Sequence, residues 1–437
     1  MSTAEAREYG AIVIIGAGQA GAEVAMELRA CGYTGSVTLV NDEAGVPYAR
    51  PPLSKAYLLG GATEADLAFR PANMYAEQRI ELLSGSVESI GRESRRVRLH
   101  HGLELPYDAV ILATGGQPRR LVGNDIECAL NVHYLKTLPH ATALKESLRT
   151  SSKLVIVGGG YIGLEAAAAA RQLGLQVTVL EAQPRLLARV TSEPVSDFYR
   201  RLHESRGVDV RLAVQISSFE FAADGRVTAV VLAGGERVAC DALLVGIGQQ
   251  PRTELAEAAG LEVAEGVLVD AACRSSDPCI LAIGDCARQH CGPDRALRRI
   301  ESVDNALQQA RIAAAALTGR PLPVRAAPWF WSNQYDARLQ SVGIYTPDCE
   351  RVVRGDPQAD SRFSVWYLKA GVPVAADVVS SPRDFAAARK LVGSEASVAA
   401  SMLADISVPL NYLASGANGA CAAWQNPSTP SPIQVPV

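Results

Sequence analysis

The chain has no CxxC pair, and its nine cysteines, an odd number, are scattered without even spacings. Its six histidines are equally dispersed, so no cluster has the ligand spacing of a zinc or iron–sulfur site, and no resident metal is expected. There is no excess of positive charge. Lys and Arg number 42 against 46 Asp and Glu, giving a net charge of −4 and a pI near 6.0, which argues against a nucleic-acid binder. No apolar run is long enough to span a bilayer, so no membrane association is expected. The first apolar run, Ala11 to Ile15, stops at a glycine turn and reads as a strand rather than a signal-peptide core. With no secretory leader and no disulfide framework, reduced thiols and a cytoplasmic location are expected.

What remains is ordinary for a globular enzyme: 48% hydrophobic and 20% charged residues over 437 positions, a length that allows about three domains. One pattern organises it. Val13-Ile14-Ile15 leads into Gly16-Ala17-Gly18-Gln19-Ala20-Gly21, and Val155-Ile156-Val157 leads into Gly158-Gly159-Gly160-Tyr161-Ile162-Gly163. Each is a short apolar strand, GxGxxG, then a helix with Glu at the same offset, Glu23 and Glu165. In such a loop the first Gly makes the tight turn and the second lets backbone N–H groups approach a pyrophosphate. The third lets helix and strand pack closely. Each copy is followed by a strand ending in acid, Asn41-Asp42-Glu43 and Glu181, the residue type that accepts a ribose 2′-OH. Each unit also closes on a similar strand, one running into Ala113-Thr114-Gly115 and the other into Gly246-Ile247-Gly248. Two dinucleotides in one α/β protein are therefore expected.

Between these units, Pro47 to Lys55 carries three prolines and Arg50, which forbids a regular helix or central strand and reads as a rigid basic loop near the ligand. The chain leaves the first unit near Gln117-Pro118 and the second near Gln250-Pro251, with a helical linker over 137–150. Ile280 to Asp285 has the apolar strand and terminal Gly284-Asp285 expected of an acid placed at a ligand, and a helix is expected over 304–317. Beyond the Pro321–Pro328 linker the composition changes. Trp329-Phe330-Trp331 holds half the four tryptophans; strands are expected near 338–344, 350–354, 362–369 and 372–379, then a helix from Asp384 to about Leu391. Lys369-Ala370-Gly371 reads as a hairpin turn. A flexible tail is expected from about 413.

Taken together, Arg50-Pro51-Pro52-Leu53-Ser54-Lys55, Ala113-Thr114-Gly115-Gly116, the second glycine loop, Gly284-Asp285-Cys286-Ala287, Arg299-Ile300-Glu301-Ser302-Val303 and Pro328 to Tyr335 resemble one family. It is that of the FAD-dependent pyridine-nucleotide oxidoreductases, and more narrowly the bacterial ferredoxin reductases that serve heme monooxygenases and ring-hydroxylating oxygenases. The resemblance implies a glutathione-reductase-like architecture. Residues 1–120 and 250–325 would form an FAD-binding domain, 121–249 an NAD-binding domain, and 326–437 a C-terminal α+β domain.

It further implies non-covalent FAD cradled by Gly16, Gly18, Ala20 and Gly21, with Asp42 or Glu43 at the adenosine ribose and Val87 near the adenine. Asp285 would accept the ribityl hydroxyls, and Val303 and Trp331 would border the flavin ring. Lys55, paired with Glu165, would sit at the reactive edge as the catalytic pair. NADH would lie on the second loop, with Glu181 favouring it over NADPH and Arg185 close enough in sequence to soften that preference. The family commonly has Arg where Lys136 stands and Asp where Asn333 stands; Lys keeps the charge but loses the planar fork. The electron acceptor would be a 2Fe–2S ferredoxin feeding an oxygenase. It would dock on a local basic patch of Arg295, Arg298, Arg299, Arg311 and Arg338.

The same architecture serves disulfide reductases and peroxide-reducing enzymes, whose reactive cysteines lie after the first unit; here no cysteine occurs between Cys31 and Cys128. Cys286 and Cys291 read as bystanders. Reduction of rubredoxin or another small redox protein is an alternative. A redox scaffold resembling apoptosis-inducing factor is another, and it calls for a basic surface or targeting leader that the sequence does not display.

Overall fold

Apolar β-branched runs too short for helices, buried on both faces, are the signature of parallel strands. The computed structural model describes residues 9–416 and has them where the glycine loops require. Ala11–Ile15 (β1) is buried at all but its first position and leads through the first loop into helix Gln19–Ala30 (α1). Ser36–Asn41 (β2), Ile80–Ser84 (β3) and Ala109–Leu112 (β4) follow. A second set comprises Val132–His133 (β5), Lys153–Val157 (β6), Gln176–Leu180 (β7), Val208–Arg211 (β8) and Ala242–Val245 (β9). Its glycine loop leads into helix Tyr161–Gln172 (α2). Ile280–Ala282 (β10) then returns to the first sheet, and helix Val303–Leu317 (α3) follows it.

The first sheet has the order β10-β4-β1-β2-β3 and the second β8-β7-β6-β9-β5, all neighbours parallel. In each, the glycine loop leaves the C-terminal end of the central strand, where strand order reverses. Open α/β sheets bind ligands at that point. The registers match: Ile15 lies between Val40 and Leu112, as Val157 lies between Leu180 and Val245. Each half also carries a three-stranded antiparallel sheet, Val87–Gly91 with Arg96–Leu99 and Glu104–Pro106, and Ile216–Phe221 with Val227–Leu232 and Arg237–Ala239. The two crossing segments pair, Gly116–Pro118 running antiparallel to Gln249–Pro251. α1 lies against α3 through small and aliphatic residues, Val24, Ala25 and Leu28 clustering with Ala310, Ala313 and Ala314.

Two local expectations change. The proline segment is not irregular throughout: Pro51–Ser54 forms a 3₁₀ turn, continued by the short helix Ala56–Leu59, because the prolines occupy the first turn where no N–H is needed. Residues 413–416 are not tail but part of helix Leu410–Gly416, which buries Leu413 and Ala414. The remainder of the expected tail, 417–437, lies outside the described residues.

The described chain divides into two compact units. The first runs to Pro323 and takes in Phe330–Arg338; the second holds Val324–Trp329 and the chain from Leu339. Both parallel sheets belong to the first. Trp329–Gln334 and Ala337–Gly343 form a hairpin whose tip is the Phe330–Arg338 stretch. In the second unit the antiparallel strands Glu350–Arg354, Phe363–Lys369 and Val372–Val379 pair in sequence, with Ala370 and Gly371 at φ 50° and 78° in the tight turn. Helix Pro382–Leu391 covers one face through Phe385, Ala388 and Leu391, and buried Arg354 binds carbonyls of Leu403, Asp405 and Val408. Among the described residues no helix is long and apolar enough to cross a membrane.

Candidate functional site

The two glycine loops divide their labour alike. Gly16 has φ 103°, and a Cβ there would lie 2.4 Å from Ala113 O; Gly158 has φ 108° and the same 2.4 Å from Gly246 O. A Cβ on Gly21 would fall 1.8 Å from Gly16 O, and one on Gly163 2.3 Å from Gly158 O. Gly18 and Gly160 differ: nothing lies within 4 Å of where their Cβ atoms would be. Their backbones are extended, at φ −72° and −83°, so a conformation that only glycine adopts does not explain them. The open space above them does, because a side chain would fill it. Each also begins a 12-residue helix with no side-chain cap, which leaves first-turn N–H groups and the positive end of the helix dipole facing that space.

Both loops open on one cavity of about 880 Å³ within the first unit. The sequence-derived residues Gly16, Gly18, Ala20, Asp42, Glu43, Arg50, Lys55, Val87, Ala113, Thr114, Gly115, Lys136, Gly284, Asp285, Val303 and Trp331 line it. So do Gly158, Gly160, Tyr161, Ile162, Glu165, Glu181, Gly246, Ile247 and Gly248. Gly21 and Gly163 do not. Gly21 lets α1 sit on the turn beneath it, as the third glycine of the motif is expected to, and Gly163 does the same for α2.

The acids at the strand ends have protein partners. Asp42 Oδ2 accepts from Arg252 Nη1 at 2.7 Å. Glu43 holds the proline segment in place, accepting from Arg50 Nη2 at 2.5 Å and from the Tyr48 hydroxyl. The Tyr48 oxygen in turn accepts the Leu138 N–H at 2.8 Å, and burial raises its phenol well above the ordinary range. On the other side, Glu181 Oε2 accepts the Gly159 N–H at 2.6 Å and Oε1 the Gln183 N–H at 2.7 Å. Arg185 does not face it. Its guanidinium is used on Ala188 O, Thr191 O and Ser196 Oγ, so the expected softening of charge beside Glu181 is absent.

Lys55 and Glu165 meet across the two halves: Nζ lies 2.5 Å from Oε2, the lysine 22% and the glutamate 3% exposed. The same oxygen accepts from Ser54 Oγ at 2.5 Å, while Oε1 accepts from Ser332 Oγ at 2.7 Å. A buried carboxylate needs partners for its oxygens, and both oxygens of this one are hydrogen-bonded. Asp285 Oδ2 receives Gln249 Nε2 at 3.0 Å and Lys136 Nζ at 3.3 Å, and Lys136 also donates to Gln249 Oε1 at 2.8 Å. The lysine thus joins one hydrogen-bonded group with Gln249 and Asp285 in the cavity wall. Cys286 is fully buried, its thiol donating to backbone carbonyls of Ile283 and Leu112, and burial raises its pKa.

Sequence reasoning missed Ser54, Tyr48, Gln249, Arg252 and Ser332, whose roles depend on which segments meet and carry no local pattern. Among the expected docking arginines, Arg298 pairs with Asp294 at 2.5 Å, Arg299 with Glu301, and Arg311 with Glu27 at 3.2 Å. None of the five lines the cavity.

Open glycines, uncapped helix starts and a cavity joining both loops fit two dinucleotides placed end to end. Comparison with known proteins agrees. Residues 10–310 match the pyridine nucleotide-disulphide oxidoreductase family, and residues 329–414 match a reductase C-terminal domain. The chain is 44% identical over 410 residues to putidaredoxin reductase CamA of Pseudomonas putida, covering 93% of this chain and 97% of that one. It is 41% identical over 401 residues to the ferredoxin–NAD(+) reductase component of the anthranilate 1,2-dioxygenase system of Burkholderia cepacia, covering 91% and 98%. The reductase in the crystal structure of the covalent putidaredoxin reductase–putidaredoxin complex superposes with a TM-score of 0.91 at 43% identity, covering 94% of this chain and 99% of that one. With its duplicated parallel sheets, paired glycine loops and shared cavity, the chain belongs to the pyridine nucleotide-disulphide oxidoreductase family, whose cofactors are FAD and NAD(H).

Proposed function

We propose that this protein is an FAD-containing, NADH-dependent ferredoxin reductase that passes single electrons to a 2Fe–2S ferredoxin of a bacterial oxygenase system in the cytoplasm. The observation that carries the reading is the meeting of two dinucleotide-binding loops at one cavity, with the Lys55–Glu165 pair in its wall. FAD supplies the chemistry when bound, since it exchanges electrons with NADH in pairs and with one-electron carriers singly.

The chain's own residues bind, orient and insulate. Gly16, Gly18 and Ala20 would hold FAD by the first helix N-terminus, with Asp42, Glu43, Val87 and Asp285 along its length. Gly158, Gly160, Tyr161 and Ile162 would hold NADH, and Glu181 would receive the ribose hydroxyls. Lys55 would place a positive charge at the flavin's reactive edge, held by Glu165, while Trp331 would exclude water from it. In domain terms, 1–120 with 250–325 would carry FAD, 121–249 NADH, and 326–437 would follow as a separate domain. Arg295, Arg298, Arg299, Arg311 and Arg338 would steer an acidic ferredoxin.

The test is anaerobic titration of the purified protein with NADH, followed by turnover with a 2Fe–2S ferredoxin. A yellow protein with one FAD per chain, bleached by one equivalent of NADH and active on the ferredoxin, is the expected result. Absence of flavin absorbance with no uptake of added FAD overturns the reading.

A further inference from the structure

Glu165 is not supported by Lys55 and Ser54 alone. Behind Ser332 the buried hydrogen bonds continue: Gln334 Nε2 donates to Ser332 Oγ at 3.1 Å, and His203 Nε2 lies 2.8 Å from Gln334 Oε1. Ser332, Gln334 and His203 are each completely buried, and Glu165 nearly so. Ser332 and Gln334 alternate on one face of the hairpin strand, while His203 comes from helix Glu193–Ser205.

The polarity of this chain is determined from its inner end. A carboxylate has only lone pairs to offer, so Ser332 must donate to Glu165 Oε1. The serine oxygen then accepts from the amide NH₂ of Gln334, which turns the amide oxygen toward His203. His203 must therefore carry its proton on Nε2. Its Nδ1 is buried with no hydrogen-bond partner, and burial lowers the imidazole pKa to about 4, so the ring is neutral at physiological pH. The tip of the hairpin is held over the same helix: the Tyr335 ring lies 5.2 Å from that of His203, and Arg206 pairs with Asp336 at 3.1 Å.

We infer that His203, Gln334 and Ser332 form a positioning relay, every proton donated toward Glu165, that holds this carboxylate in one rotamer so that Lys55 is presented at a fixed point of the cavity wall. The inference rests on the proposed role of the Lys55–Glu165 pair. Chains of hydrogen bonds polarise one another, so each member strengthens the next, and removing a middle one leaves a buried acceptor unpaired.

Two measurements test it. In the ¹⁵N-histidine NMR spectrum of the FAD-loaded protein, the one signal of the six histidines that is missing from the His203→Gln variant should be that of a neutral imidazole protonated on Nε2. In stopped-flow, Ser332→Ala should lower the limiting rate of flavin reduction by NADH about tenfold with the NADH dissociation constant unchanged, and Gln334→Met should lower it about threefold. A His203 protonated on Nδ1 or doubly protonated at neutral pH overturns the relay. If Lys55→Met slows reduction but folded Ser332→Ala and Gln334→Met do not, the relay fails and the pair stands. If Lys55→Met is also silent, the pair itself has no catalytic role. Should Ser332→Ala not fold, Gln334→Met and the wild-type tautomer still decide.

Discussion

Lys55 reaches Glu165 over 110 residues of sequence to form a contact of 2.5 Å, its carboxylate partner almost wholly buried. The lysine ends the 3₁₀ turn of the proline segment, and the glutamate sits on the helix that the second glycine loop opens. Lys55→Met keeps the aliphatic stem and removes the charge. We expect flavin reduction by NADH in stopped-flow to slow by about ten- to a hundredfold, with the far-ultraviolet circular dichroism unchanged. An unaltered rate would reduce the pair to a structural contact.

The open glycines make a sharper separation of roles. An alanine methyl at Gly160 meets no protein atom, so Gly160→Ala should leave the melting temperature and FAD content intact. It would nonetheless occupy the space over the second helix N-terminus, and the KM for NADH should rise about tenfold or more. Gly18→Ala should instead weaken FAD, read by flavin release on dilution. If Gly160→Ala leaves NADH binding untouched, the nucleotide does not use that helix start.

Glu181 bears on the choice of nucleotide. Its two oxygens accept the backbone N–H groups of Gly159 and Gln183, and the Arg185 guanidinium is bonded to Thr191, Ser196 and Ala188 instead. Placed at the ribose as proposed, Glu181 would repel a 2′-phosphate and accept a 2′-OH. Glu181→Gln preserves size and one acceptor oxygen while removing the charge. The ratio of kcat/KM for NADH over NADPH should fall about tenfold. A native enzyme with equal kinetics on both would refute the assignment.

Motifs with a local backbone requirement were readable in the sequence. Both glycine loops, the strands ending in acid and the Lys369 to Gly371 turn reflect φ values, close approach and strand period, and each appears where expected. The family resemblance brought Lys55 and Glu165 together, which spacing alone cannot do. Ser54, Ser332, Gln334 and His203 were not readable, because a buried polar residue in a strand or helix declares itself only when its neighbours are known. The same is true of Arg252 on Asp42 and of Lys136 on Asp285. Gly21, by contrast, was legible from its local requirement: the third glycine of the motif is the one that lets helix and turn pack closely, and a Cβ there would fall on Gly16 O.

In the second unit, Asp377 is fully buried, accepting from Ser341 Oγ at 2.5 Å and Tyr367 Oη at 2.6 Å. Burial raises its carboxyl from the ordinary 3.8 to about 6, against the pull of those two hydrogen bonds. Between these values the folded chain keeps a proton that the unfolded chain releases. The group's stabilising contribution is therefore full below pH 3.8 and is lost as pH rises through about 6. Asp377→Asn removes this dependence. Denaturant unfolding at about pH 4 and about pH 7 should show the variant gaining about 2–3 kcal/mol on the wild type between the two. A pH-independent difference would mean that the carboxyl titrates normally.

The ferredoxin surface carries the last prediction. A protein of net charge −4 needs a local excess of positive charge to attract an acidic partner. Of the five arginines proposed, Arg298 and Arg299 spend their charge on Asp294 and Glu301 and are less than a quarter exposed. Arg311 is 40% exposed, and its bond to Glu27 on α1 is a surface pair at 3.2 Å, of a kind worth little to stability. Reversal to Glu would place two carboxylates together and convert an attractive spot into a repulsive one without disturbing the core. Arg311→Glu combined with Arg338→Glu should raise the apparent KM for ferredoxin severalfold and leave that for NADH unchanged. Steering between exposed charges fades beyond a Debye length of about 8 Å at physiological salt. Ferredoxin reduction should therefore fall steeply with added salt, while NADH-driven reduction of ferricyanide, which needs no docking, barely changes. If salt affects both activities alike, or the reversals are silent, the partner docks on another face.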